Sequence, residues 1–146
     1  MDRELRYAAV VALGELGRSH DYRDRADAAH GLAGFAEMHE AFGPLRTLVL
    51  DPDDTFVTRV TAESLLRRQD RVGLAIVASA LAEADPNHGD WIHTAVVDVF
   101  SIFSHARDNA IRLCEELSQD ADDRVAQGAR QLHDLLVEID PVLRPA

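Results

Sequence analysis

Residues 57–70 read V-T-R-V-T-A-E-S-L-L-R-R-Q-D and residues 92–105 read I-H-T-A-V-V-D-V-F-S-I-F-S-H, with apolar positions three or four apart in both. That period places the apolar side chains on one stripe of a helix rather than on alternate faces of a strand. Two earlier stretches fit the same template, L-R-Y-A-A-V-V-A-L-G-E-L-G-R from Leu5 and R-A-D-A-A-H-G-L-A-G-F-A from Arg25, and a weaker copy, V-A-Q-G-A-R-Q-L-H-D-L-L, begins at Val125. Aligning the anchors Leu32, Leu65, Phe100 and Leu132 gives steps of about 32 to 35 residues, the length of one helical hairpin per repeat.

Second apolar stretches lie between these helices: F-G-P-L-R-T-L-V-L (Phe42 to Leu50), V-G-L-A-I-V-A-S-A-L-A (Val72 to Ala82) and A-I-R-L-C-E-E-L (Ala110 to Leu117). Each reads as a partner helix, and Pro44 falls near the start of the first, where a missing N–H costs nothing. Acidic turns separate the pairs: Asp51-Pro52-Asp53-Asp54, Asp85-Pro86-Asn87-His88-Gly89-Asp90 and Asp120-Ala121-Asp122-Asp123. An aspartate just before a helix caps free N–H groups and suits the positive end of the helix dipole. None of these turns has the alternating ligand spacing of a calcium loop.

Composition agrees with one globular helical domain. The 146 residues are 47% hydrophobic and 28% charged, with only 5% aromatic, so the apolar stock is mostly Ala, Leu and Val. Net charge is −11, which repels a polyphosphate backbone and excludes nonspecific nucleic-acid binding as an expected role. All fifteen cations are arginine; without lysine there is neither Schiff-base chemistry nor a Walker lysine. The single cysteine, Cys114, sits among Ala110, Leu113 and Leu117 and reads as a buried inert thiol. A cytoplasmic setting is expected, because one thiol makes no intramolecular disulfide, the first residues are acidic, and no apolar run spans a bilayer.

The run A-A-V-V-A-L-G-E-L-G at Ala8 to Gly17, and the helix, turn and helix from Arg25 ending in L-D-P-D-D, resemble the HEAT-repeat family, in particular its short bacterial repeats. The resemblance implies an all-α, right-handed α-solenoid of antiparallel helix pairs with about eight helices in one domain over 1–146. Its parts would be an N-terminal cap helix at 3–20, helix-pair repeats at 21–53, 54–85 and 90–120, and a C-terminal cap helix at 122–139. The 19 residues from Leu13 to Leu32 are too few for a full first repeat, hence the cap. The last copy is unpaired, with Pro141 and Pro145 stopping any continuation.

Among HEAT-like proteins, deoxyhypusine hydroxylases hold paired irons through repeated His-Glu dipeptides. Here His39-Glu40 occurs once and the equivalent positions are Asp70-Arg71 and His105-Ala106, so no metal or other cofactor is expected. His20, His30, His88, His93, His105 and His133 follow no ligand spacing. The clusters Arg67-Arg68-Arg71 and Arg23-Arg25 are interleaved with acids, unlike the basic face of the alkylpurine DNA glycosylases, and nothing marks a chromophore pocket of the phycobilin-lyase kind. Gly14, Gly17, Gly31 and Gly34 follow no strand and read as positions of close helix packing.

No catalytic constellation emerges. The expected role is a non-enzymatic protein-protein interaction module or adaptor, with the second helices of each pair lining a concave surface that holds a neutral-to-basic protein or peptide. Its candidate contacts are Arg46, Thr47, Ser79, Glu83, Arg112, Glu115, Glu116 and Gln119, with Trp91 as an exposed aromatic anchor. An acidic inhibitor or immunity-type protein covering a basic site is the alternative, and an enzyme or metal carrier on the same fold a second. Homodimerisation through an uncapped end is a further arrangement.

Overall fold

The computed structural model describes residues 1–144, which contain eight helices and no strand. They are α1 (Arg3–Leu16), α2 (Tyr22–Ala33), α3 (His39–Val49), α4 (Thr55–Leu66), α5 (Arg71–Glu83), α6 (Pro86–Phe100), α7 (Ser104–Leu117) and α8 (Asp123–Val137). Six of them open on an aspartate whose carboxylate accepts from a first-turn N–H: Asp2, Asp21, Asp54, Asp70, Asp85 and Asp122. At about 1 kcal/mol per cap these account for part of the acidic excess. α3 and α7 open on Met38 and Phe103, with no side-chain cap bond.

Two turns differ from the sequence reading. Residues 86–90 are the first turns of α6 rather than a loop: Asp85 accepts from the His88 N–H at 2.8 Å, and Pro86 takes the first helical position, where its fixed φ is preorganised. α3 starts at His39, so Pro44 lies inside the helix and removes one bond to the Glu40 carbonyl. Pro141 follows the end of α8 and is buried, while Pro145 lies outside the described residues.

The packing repeats. α2, α4 and α6 lie side by side in one row, and α3, α5 and α7 in another. Polar ties connect positions about one repeat apart: His30 Nδ1 to Ser64 Oγ at 3.4 Å, Arg46 Nε to Ser79 Oγ at 2.9 Å, Arg68 Nη1 to the Ala33 carbonyl at 2.8 Å and Arg107 Nη1 to the Ile139 carbonyl at 2.6 Å. The four anchors Leu32, Leu65, Phe100 and Leu132 are all sealed from solvent in one core.

α8 breaks the pattern. It does not stand alone at the end but packs along α5 and α7. α5 becomes the central helix, buried at Gly73, Leu74 and from Ile76 through Ala80, as a helix apolar on all sides must be. Two close crossings set this geometry. A Cβ at Gly73 would lie 2.2 Å from the Leu65 carbonyl oxygen, and one at Gly128 of α8 only 1.7 Å from the Ala78 carbonyl oxygen.

A buried ion pair ties the first repeat together. Arg25 and Asp51, 7% and 4% exposed, meet side-on with Nε to Oδ1 at 2.8 Å and Nη2 to Oδ2 at 3.1 Å. Arg25 also donates to the Ser19 and His20 carbonyls, while Asp51 Oδ2 accepts from the N–H groups of Asp53 and Asp54. The Asp51 carbonyl is 2.7 Å from His88 Nε2, and His88 Nδ1 is 2.9 Å from Asp85 Oδ1. The Asp51 carbonyl, then the Asp85 carboxylate, raise the His88 pKa against the opposing effect of burial.

A folded-state pKa above the unfolded one stabilises the fold at low pH, fully below about 6.5, and that stabilisation is lost as pH rises through the raised value. The thermal midpoint of the wild type should therefore fall more steeply above about pH 6.5 than that of His88→Gln. Parallel curves in calorimetry would show that the imidazolium contributes nothing.

Candidate interaction surface

The nine candidate contact residues separate into distinct places. Arg46, Ser79 and Glu83 form an internal tie: Arg46 donates to both the Ser79 hydroxyl and carbonyl and pairs with Glu83 at 2.6 Å, and Arg124 of α8 pairs with Glu83 from the other side. The Arg46 hydrogen bond holds the Glu83 carboxyl below its usual range. Ser79 is 2% exposed, so it cannot touch a partner; α8 lies across the α5 side that was expected to be open. Thr47 is exposed on α3, at the rim of a groove with Gly14, Gly17 and Pro44. Trp91, 37% exposed, is in the second turn of α6.

Arg112, Glu115 and Glu116 do come together on the exposed face of α7, and Gln119 is exposed in the turn just after it. The helix is amphipathic for a plain reason: Ala106, Ala110, Cys114 and Leu117 recur at three- and four-residue spacing and are buried, which turns positions 112, 115 and 116 outward. Glu116 faces two arginines, Arg71 at 3.5 Å and Arg112 at 3.9 Å. Glu115 has a histidine instead, with His133 Nε2 at 3.6 Å.

His133 belongs to α8 and its Nδ1 is 3.3 Å from Asp134 Oδ1. Between the two helices runs an open groove of about 410 Å³ lined by Cys114, Glu115, Ser118, Arg130, His133 and Asp134. Arg130 donates to the Ser118 carbonyl, bridging the walls. Glu115 and Asp134 are thus two mostly exposed carboxylates on opposite walls, sharing one imidazole. The sequence reading missed Arg130, His133 and Asp134 because it took the last copy for an end cap. Their i, i+3, i+4 spacing, bordering the buried stripe of Ala126, Ala129, Leu132 and Leu136, was the available signal.

The chemistry of the floor is inert. Burial pushes the Cys114 thiol up to about 12, so it stays protonated at neutral pH. Among the described residues no three His, Cys, Asp or Glu side chains are placed to share a metal ion. Glu40 Oε2 is shielded from water and unbonded, and His39 beside it is exposed. Among the described residues, no helix is long and apolar enough to cross a membrane.

The sequence matches no protein-family model and no curated protein. Among solved structures, an engineered protein determined as a structural-genomics target is similar at a TM-score of 0.37 and 20% identity, over 88% of this chain and 62% of that one. This chain therefore spans less than two thirds of its neighbour's length, and a likeness that distant carries no argument about fold or function.

Proposed function

We propose that this chain is a non-enzymatic, HEAT-like protein-binding module that holds a neutral-to-basic segment of another protein across α7 and α8. One observation carries the reading: Glu115 and Asp134 stand on opposite walls of an open groove with His133 between them and Arg130 beside it, a carboxylate pair that a further guanidinium or ammonium group can bridge. Arg112 and Glu116 extend the contact along α7, and Gln119 extends it into the turn that follows. The single deeply buried thiol supports a cytoplasmic assignment.

Immobilised wild-type chain should retain a protein partner in stoichiometric amount from its source lysate, and the variant Glu115→Gln/Asp134→Asn should lose it. With the purified partner, the variant's association rate should drop roughly tenfold at low salt and its salt dependence flatten. Equal retention by the variant, or no retained protein at any salt, rejects the proposal. The net charge of −11 favours a second form of the same reading, an acidic inhibitor or immunity-type protein whose partner is an enzyme with a basic site. It is distinguished by loss of the partner's activity on binding.

A further inference from the structure

α1 leaves most of its surface without a partner inside the chain. Of its 14 residues only Val10 is buried, whereas Leu5, Tyr7, Val11 and Leu16 are 59%, 52%, 47% and 37% exposed. Such a concentration of exposed large side chains on one helix is the mark of an interaction surface rather than of scattered surface apolar residues.

The stripe through Tyr7 and Val11 has a self-complementary layout. Glu4, Tyr7, Val11, Gly14 and Arg18 recur at 3-4-3-4 spacing, the seam of a pair of packed helices. Gly17 caps the helix in right-handed geometry (φ −65°, ψ −12°), so the seam continues to Arg18. Glu4 and Arg18 each lie seven positions, about 10 Å, from Val11. A second copy running antiparallel about a twofold axis at Val11 therefore sets Glu4 against Arg18 twice and Val11 against Val11.

Steric detail supports the same register. A Cβ at Gly14 would meet nothing within 4 Å, so no neighbour in this chain requires glycine there, although glycine costs about 1 kcal/mol relative to alanine in a helix. Gly14 instead borders a groove of about 210 Å³ with Gly17, Arg18, Pro44, Thr47 and Leu48. In the antiparallel register Tyr7 of the second copy falls opposite Gly14, at that groove. Arg18 is 71% exposed at its side chain and holds only Glu15 of its own chain among the described residues, leaving donors free for a second carboxylate.

We infer that two copies of this chain pair antiparallel through α1 about a twofold axis at Val11, Tyr7 of each seating in the α1–α3 groove of the other. This pairing is independent of the α7–α8 groove. Sedimentation across about a hundredfold range of concentration should show a monomer–dimer equilibrium. Val11→Arg, which places two like charges on the axis, should weaken it at least about a hundredfold. Glu4→Arg and Arg18→Glu should each weaken it about tenfold, and an equimolar mixture of those two variants should regain wild-type affinity, because the charges are then matched again at both contacts. These positions are exposed, so all variants should melt within a few degrees of wild type at dilutions where it is monomeric. A wild type that stays monomeric throughout, a dimer indifferent to Val11→Arg, or a mixture that does not recover overturns the inference.

Discussion

Gly128→Ala should cost at least about 3 kcal/mol of stability, the upper end of what overpacking a core exacts, and lower the thermal midpoint by about 10 °C. The added methyl would sit 1.7 Å from the Ala78 carbonyl oxygen, 2.4 Å from its carbonyl carbon and 2.8 Å from its Cα. These are backbone atoms of the most deeply buried helix, and no side-chain rotamer can relieve the contact. Relief requires α8 to move off α5, which loosens the packing of Val125, Ala129, Leu132 and Leu136. Alanine's better helix propensity returns only about 1 kcal/mol. Gly89→Ala is the matched control: it is also helical, nothing lies within 4 Å of its added Cβ, and it should be neutral or stabilising by up to about 1 kcal/mol. Equal midpoints for the two variants would mean that α8 does not cross α5 this closely.

These glycines show where sequence and structure part. Four others, Gly14, Gly17, Gly31 and Gly34, read as close-packing positions because they sit in or beside strongly periodic helices. Of these, an added Cβ would meet a tight contact only at Gly31, 3.0 Å from Leu13 Cδ2. Gly73 and Gly128 are the true crossings. Gly73 meets Leu65 within the α4–α5 hairpin and Gly128 meets Ala78 across helices far apart in sequence; which glycine faces a neighbouring backbone depends on how the helices stack, and the apolar period alone does not encode that. What local chemistry does control was legible in part: the turn ending at Asp54 caps α4 as read and the core anchors follow the period of about 33 residues, while the turn read as running to Asp90 already caps α6 at Asp85 and the last turn caps α8 at Asp122, one residue before its end.

The candidate surface was half legible for the same reason. α7 has a two-sided sequence, so its exposed residues could be named from spacing alone. Residues 72–82 of α5 read V-G-L-A-I-V-A-S-A-L-A, with Ser79 the one polar side chain between Arg71 and Glu83, and a helix with no polar face has none to offer solvent. Assigning Ser79 and Glu83 to an open trough treated α5 like its neighbours. The all-round apolar run called for one more covering helix, which is α8.

Removing either side of the Arg25–Asp51 pair should be the most damaging polar change, about 3 to 5 kcal/mol for Arg25→Ala or Asp51→Ala, because each leaves an uncompensated charge in the interior. In a domain whose whole stability is of order 5 to 15 kcal/mol, that is a large fraction. The double variant Arg25→Met/Asp51→Leu removes both charges and should recover part of the loss, since a buried pair is often worth little against a well-packed apolar one. Recovery should be incomplete. The Ser19 and His20 carbonyls lose the Arg25 donor, and the N–H groups of Asp53 and Asp54 lose their carboxylate, so the turns before α2 and α4 are left with unpaired backbone groups. Denaturant midpoints at constant m-value measure the three changes, and the cycle they form isolates the coupling between the two side chains. A coupling near zero would show that each residue acts through its backbone contacts alone. A value of several kcal/mol would make the side-on pair itself the tie between the turns that flank the first repeat.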